Sequence, residues 1–191
     1  MPDERRLVTV LFADLVGSTP MVREHDAEIV RTALDAAFDR IAPLIKVHGG
    51  TVEKFIGDAV MALFGSPTAH DDDAERAIRA AVAIRDLVAE LRGPLELRVR
   101  VGVNTGEVVT RSDAGDQRLA TGIAVNVAQR LQASASPGEI LAGDLTRSLT
   151  YGAIGYGPLR AIDAKGVGSL AAWPVETVLS IVPERRLSME G

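Results

Sequence analysis

Asp14 closes an apolar run, LVTVLFA at residues 7–13, and a DLVGST turn carrying Gly17, Ser18 and Thr19 follows it. Asp58 sits beside Gly57 between two further strand-like runs, TVEKFI and AVMALF. Both carboxylates therefore fall at strand ends, where neighbouring strands can bring them together. Paired carboxylates repel unless a cation lies between them. Mg²⁺ is commonly held by one or two carboxylates together with substrate phosphates. The backbone amides of the Gly17-Ser18-Thr19 turn could cradle those phosphates. Taken singly, Asp14 also reads as a helix cap and Asp58 as ordinary hairpin-turn chemistry.

Asn126 and Arg130 lie four apart in AVNVAQRL and share one helix face, beside an apolar stripe of Val127 and Leu131. An arginine there could neutralise charge growing on a phosphate, and an asparagine could orient a ribose or a leaving group. Taken alone, the pair reads first as a helix-surface arginine with an asparagine tolerated beside it. Simple alternation puts Lys54 on one strand face with Val52 and Ile56. A lysine among apolar neighbours needs an acceptor, or else it snorkels from an edge strand. His25, His48 and His70 are scattered without metal-ligand spacing. The Asp71-Asp72-Asp73 run reads as a helix start, and Thr105-Gly106-Glu107 as a turn.

The elements that must carry these residues follow from periodicity. Residues 7–13 form a central strand. A long helix over 20–47 follows, capped by Ser18 or Thr19, crossed by Pro43 and stopped by His48-Gly49-Gly50. TVEKFI and AVMALF form a tight hairpin about Gly57-Asp58. HDDDAERAIRAAVAIRDLVAEL, residues 70–91, is an amphipathic helix with Ala77, Ala81, Ile84 and Val88 on one face, broken by Gly93-Pro94. LELRVRVGVN is a strand, followed by a strand end and an exposed loop through residue 121. GIAVNVAQRLQASA is a helix, EILAG a short strand, and residues 170–179 a last strand, which Pro174 assigns to an edge. Helices over a sheet make an α+β sandwich.

The 191 residues favour one domain. Its expected bounds are a tail at 1–6, a domain at 7–180 and a polar tail at 181–191. The net charge of −5 argues against a nucleic-acid binder. Cysteine is absent, which excludes disulfides, thiolate metal sites and cysteine nucleophiles. No apolar run reaches the ~18 residues of a membrane span, and the first residues do not lead into a signal-peptide core, so the expected location is the cytoplasm.

In combination the motifs are far more specific than singly. FADLVGST, EKFIGDAVMALFG, RVGVNTGEV and VNVAQRL, in this order, resemble the catalytic domain of the class III nucleotidyl cyclases, most of all the bacterial and mycobacterial adenylyl cyclases. The resemblance implies a ferredoxin-like βαββαβ core with added elements, and two copies paired head to tail with ATP bound between them. It assigns two divalent cations, Mg²⁺ or Mn²⁺, to Asp14 and Asp58 with the backbone carbonyl of Leu15. It makes Gly17, Ser18 and Thr19 a phosphate loop and Lys54 the reader of the adenine ring. Asn126 and Arg130 become the transition-state pair, donated by the opposite chain, and Arg100 and Lys165 reach the triphosphate. The second purine-reading position falls on Leu119, which has no polar side chain, with Thr121 two residues on as a substitute. The implied reaction is conversion of ATP to 3′,5′-cyclic AMP and pyrophosphate. The alternatives are a guanylyl or dual-purine cyclase, or a degenerate domain that binds nucleotide without turnover.

Overall fold

The computed structural model describes residues 4–16, 25–112, 118–166 and 168–179. The chain opens with β1 (Glu4–Val16), then α1 (Ala27–Val47), the β2 (Thr51–Ile56) and β3 (Ala59–Phe64) hairpin, α2 (Asp73–Glu90) and β4 (Arg98–Ser112). This is a βαββαβ order, and its strands lie side by side as β2-β3-β1-β4. β5 (Arg118–Thr121) pairs with β4, and α3 (Ile123–Ser134) follows it. β6 (Ile140–Ala142), α4 (Asp144–Leu149), β7 (Ile154–Tyr156), β8 (Arg160–Ala164) and β9 (Gly168–Val178) complete the described residues and extend the sheet beyond β4 as β6-β9-β7. The α+β sandwich and the ferredoxin-like core are both present.

The central strand β1 is apolar without alternation because both its faces are covered. Leu11, Ala13 and Leu15 face a core shared with Ile41, Ile45, Ile78 and Ile84 of α1 and α2. Val8, Val10 and Phe12 face the other side, with Met61, Leu63 and the small residues Ala124 and Ala128 of α3. Each large side chain buried in these layers contributes about 1.5–3 kcal/mol. The expected face of α2 is buried at Ala77, Ala81, Ile84 and Val88.

Several expectations are corrected. Residues 4–6 belong to β1 rather than to a tail, since Glu4 pairs opposite Thr110. α1 begins at Ala27, not residue 20, because the Asp26 carboxylate accepts the Glu28 amide as its cap. Thr105-Gly106-Glu107 is no turn: β4 runs straight through it to Ser112. Gly106 serves there as a seat for α3, since a Cβ would lie 2.8 Å from the Ala124 methyl. β9 is interior, between β6 and β7, despite Pro174. The Pro174 carbonyl accepts from the Gly157 amide, so its missing donor faces the same side, just past the last β7 residue. Residues 17–24 and 180–191, and with them Gly17, Ser18, Thr19 and the expected tail, lie outside the described residues.

Candidate active site

Asp14 continues the parity of Val8, Val10 and Phe12, so it belongs to the α3 side of the sheet. It stands opposite Ala59 of β3 and Arg100 of β4. The two-residue Gly57-Asp58 turn places Asp58 beside it, because the Leu15 amide donates to the Asp58 carbonyl at 2.9 Å. In an extended strand the N–H and C=O of one residue project to the same edge. The Leu15 carbonyl therefore also faces the hairpin tip. Gly57 takes φ +61°, the left-handed conformation that such a tight turn demands of one residue.

The Asp14 side chain is only 13% exposed. Burial pushes its carboxyl above the ordinary carboxylate range; a hydrogen bond from Arg100 opposes this, and repulsion from the nearby Asp58 carboxylate adds to it. Arg100 Nη2 donates to Asp14 Oδ2 at 2.6 Å, and Gln132 Nε2 of α3 donates to the same oxygen at 3.2 Å. Arg100 Nε is buried without a partner among the described residues.

A divalent cation fits this donor set. Two crowded carboxylates, one of them held at an electrostatic disadvantage by burial, and a strand-end carbonyl offer hard oxygen ligands to a Mg²⁺- or Mn²⁺-like ion. Among the described residues no cluster of three or more histidine, aspartate or glutamate side chains forms a fuller cage. Such a site leaves coordination positions for water and phosphate oxygens.

Lys54 reaches the same face of the sheet by an irregularity. The β2–β3 register runs Ile56↔Ala59, Phe55↔Val60 and Lys54↔Met61, then shifts so that Val52 opposes Ala62. Glu53 is thus the extra residue of a β-bulge, and the bulge turns Val52 to the opposite face from Lys54. Val52 packs against the α1 and α2 core, and Phe55 meets Phe38 of α1 edge-on at 5.1 Å. Lys54 instead pairs with Met61 on the α3 side, where Asp14 and Arg100 lie. The expectation that Lys54 and Val52 share a face is corrected. Lys54 is exposed on an edge strand, and its ammonium has no polar partner among the described residues.

The structure does not bring Asn126 and Arg130 to Asp14 within one chain. At about 100° per residue, Arg130 projects about 160° around the helix from Gln132, and Asn126 about 120°. Gln132 faces Asp14, whereas Asn126 and Arg130 are both exposed. Lys165 occupies the exposed β8–β9 turn. The register carries that turn away from Asp14: Leu141 lies level with Gly102 and pairs with Pro174, and Ala142 with Trp173, so lower numbers in β9 recede from Arg100. In β5, Leu119 stands opposite Arg111 and Thr121 opposite Val109, just before α3.

Gln132 is the site residue that sequence reasoning missed. It is only 7% exposed. The available signal was the stripe Ala124, Ala128, Gln132, in which an amide continues two small buried residues at the next i+4 position.

Comparisons with known proteins agree with this geometry. The family profile "Adenylate and Guanylate cyclase catalytic domain" matches residues 2–175. Adenylate cyclase 1 of Rhizobium meliloti (strain 1021) is 34% identical over 137 residues, covering 67% of this chain and 21% of its own length. An uncharacterized protein of Mycobacterium tuberculosis (strain ATCC 25618 / H37Rv) is 37% identical over 150 residues, 75% of this chain and 26% of its own. The chain thus spans about a quarter or less of these curated relatives. The crystal structure of the guanylyl cyclase Cya2 superimposes with a TM-score of 0.89 at 30% identity, over 96% of this chain and 98% of that one.

Proposed function

The chain belongs to the adenylate and guanylate cyclase catalytic domain family, the class III nucleotidyl cyclases, and from that premise we propose that it is an adenylyl cyclase converting ATP to 3′,5′-cyclic AMP and pyrophosphate. No helix of the described residues is long and apolar enough to cross a membrane.

Asp14, Asp58 and the Leu15 carbonyl would hold two divalent cations, Mg²⁺ or Mn²⁺. Bound there, such ions lower the pKa of the ribose 3′-hydroxyl and neutralise the departing phosphates. The 3′-oxygen attacks the α-phosphorus, the bond to the β-phosphate oxygen breaks, and the hydroxyl proton leaves to solvent or substrate. Arg130 stabilises the charge on the five-coordinate phosphorus, and Asn126 orients the ribose. Their exposure, on the side of α3 turned from their own Asp14, supports a site completed by a second copy paired head to tail. In that arrangement Lys165 of the second copy supplies charge to the triphosphate alongside Arg100. Gly17, Ser18 and Thr19 contribute backbone amides to the phosphates.

The observation that carries the choice of purine is Lys54, an exposed donor without a polar partner among the described residues, on the Asp14 face of the sheet. Adenine offers N1 as an acceptor, whereas guanine carries a proton there and calls for an acidic residue. Incubating the purified chain with Mn²⁺ and either ATP or GTP, and quantifying both cyclic nucleotides, tests the reading. Cyclic AMP formed preferentially supports it. Preferential cyclic GMP makes the chain a guanylyl cyclase, and binding without either product makes it a degenerate domain.

A further inference from the structure

We propose that Gln132 is a positioning residue whose side-chain amide holds the Asp14 carboxylate in the orientation that receives a divalent cation. The inference rests on Asp14 being a metal ligand and adds to it an assignment for α3.

Gln132 is buried to 7% exposure, and its Nε2 donates to Asp14 Oδ2 at 3.2 Å. A long amide side chain is rarely so enclosed, and burying one without a partner costs energy. Its main chain is fixed as firmly as its side chain. Gly102 lies two residues beyond Arg100 on the same face of β4. A Cβ on Gly102 would stand 2.4 Å from the Gln132 nitrogen and 2.2 Å from the Ala128 carbonyl oxygen. At the other end of the helix, Asn104 Nδ2 donates to the Ala124 carbonyl at 3.1 Å. α3 is therefore seated directly on β4 at the point from which Gln132 reaches Asp14.

Among the described residues Asp14 Oδ2 has two donors, and charge distinguishes them. The Arg100 guanidinium, at 2.6 Å, partly offsets the Asp14 charge in the metal-free chain. A divalent cation on the same carboxylate repels a guanidinium and favours its release toward substrate phosphates. The Gln132 amide is neutral and is not repelled. It can keep Oδ2 in place while Oδ1 faces the ion. Donors that orient a metal-binding carboxylate in this way typically govern affinity or activity by about 10- to 100-fold.

The test compares wild type, Gln132→Met, which keeps the length and loses the donor, Gln132→Leu, and Asp14→Ala. Thermal melting is followed against Mn²⁺ concentration at fixed 3′-deoxy-ATP, which cannot cyclise, and initial rates are measured with ATP. The Gln132 variants should melt close to wild type without metal. The Mn²⁺ concentration for half-maximal stabilisation should rise about 10- to 100-fold. At saturating Mn²⁺, kcat should recover and the KM for ATP should be unchanged. A purely structural role would lower the metal-free melting point and leave the Mn²⁺ midpoint alone. Wild-type Mn²⁺ midpoints in folded Gln132 variants overturn the proposal, as does failure of both variants to fold. If Asp14→Ala is stabilised by Mn²⁺ as strongly as wild type, the metal reading of Asp14 fails, and the role of Gln132 with it.

Discussion

Asp14 and Arg100 face each other directly across the β1–β4 pairing, with Nη2 donating to Oδ2 at 2.6 Å, yet the carboxyl is still driven toward its protonated form by burial and by Asp58. One arginine does not compensate for crowding two carboxylates at a buried strand end. The metal-free site carries an electrostatic cost that a bound cation would remove.

That cost has a pH signature. The folded chain holds the Asp14 proton more tightly than the unfolded chain does. This carboxyl therefore favours folding fully only below about pH 3.9, and the contribution is lost as pH rises through its raised folded value. Asp14→Asn, fixed neutral, should melt above wild type at pH 7 without divalent ions. The two should converge below about pH 3.5, where wild-type Asp14 is also neutral. Added Mn²⁺ with nucleotide should reverse the order, since only wild type gains stability by mass action. Melting curves across pH, with and without Mn²⁺, check all three points.

Asp58 sits at a hairpin tip, part-buried, and anchors no core layer. Asp58→Ala should abolish cyclisation while leaving the fold intact and the metal-free melting point equal or higher. Chelation of divalent ions should silence wild type in the same way, reversibly. Activity above a few per cent in Asp58→Ala, with metal still required, removes Asp58 from the ligand role.

Most of the core order was legible because the sequence states it in unmixed periods: β1 as a continuous apolar run, α2 as a clean helical stripe, Gly57-Asp58 between two strand runs. What was hidden depends on contacts between distant segments. The bulge at Glu53 leaves no local mark, because two residues opposing one is a property of the pair of strands. The role of Gly106 as a seat appears only when α3 is laid on β4. Pro174 reads as an edge residue until its partner on one side is seen to end. Gln132 continues the Ala124–Ala128 stripe in the sequence, but its partner Asp14 is visible only when α3 is laid on the sheet. The carboxylate pair was legible because Asp14 follows directly on the apolar run and Asp58 sits in a two-residue turn, although β1 in fact continues past Asp14 to Val16.

Lys54 supplies a further prediction. On the proposed reading, with Leu119 at the second purine-reading position, Lys54 would be the one side chain that reads the ring. A single good polar contact discriminates by about 1–3 kcal/mol, or roughly ten- to a hundredfold. ATP should be preferred over GTP within that range, and Lys54→Glu should erode or invert the preference. Equal use of both purines by wild type, with no change in Lys54→Ala, excludes Lys54 as the reader. Steady-state kcat/KM for both nucleotides decides it.

Two glycines of β4 should respond unequally to alanine. At Gly102 the added methyl meets backbone atoms of α3 at 2.2 and 2.4 Å, whereas at Gly106 its nearest contact is the Ala124 methyl at 2.8 Å. Backbone in a packed helix cannot yield alone, so Gly102→Ala must lift α3 from the sheet. Overpacking of this kind costs about 1–3 kcal/mol. Gly102→Ala should be the more destabilising in urea titrations. It should also lose more activity than its stability explains, because α3 carries Asn126, Arg130 and Gln132. Equal effects at both glycines would mean that α3 is not seated as described.

The last prediction concerns how the site is completed. Asp14 and Asp58 stand together at one end of the sheet, while Asn126 and Arg130 face outward from the opposite side of the helix that Gln132 turns toward them. A two-fold symmetric dimer would place the outward pair of each chain over the carboxylates of the other and create two equivalent sites. Asp14→Ala and Arg130→Ala should then each be inactive alone. In a mixed dimer both lesions fall in one site and the other is intact. With random pairing about half of the dimers are mixed, each with one of two sites working, so roughly a quarter of wild-type activity should return. Because association is concentration-dependent, recovery should rise with total protein and reach a plateau. The measurement is cyclic AMP formed by equimolar mixtures over a range of concentrations, with each variant's fold and association verified by melting and sedimentation. A mixture that stays inactive at high concentration, with both variants folded and associating, places the whole site within one chain.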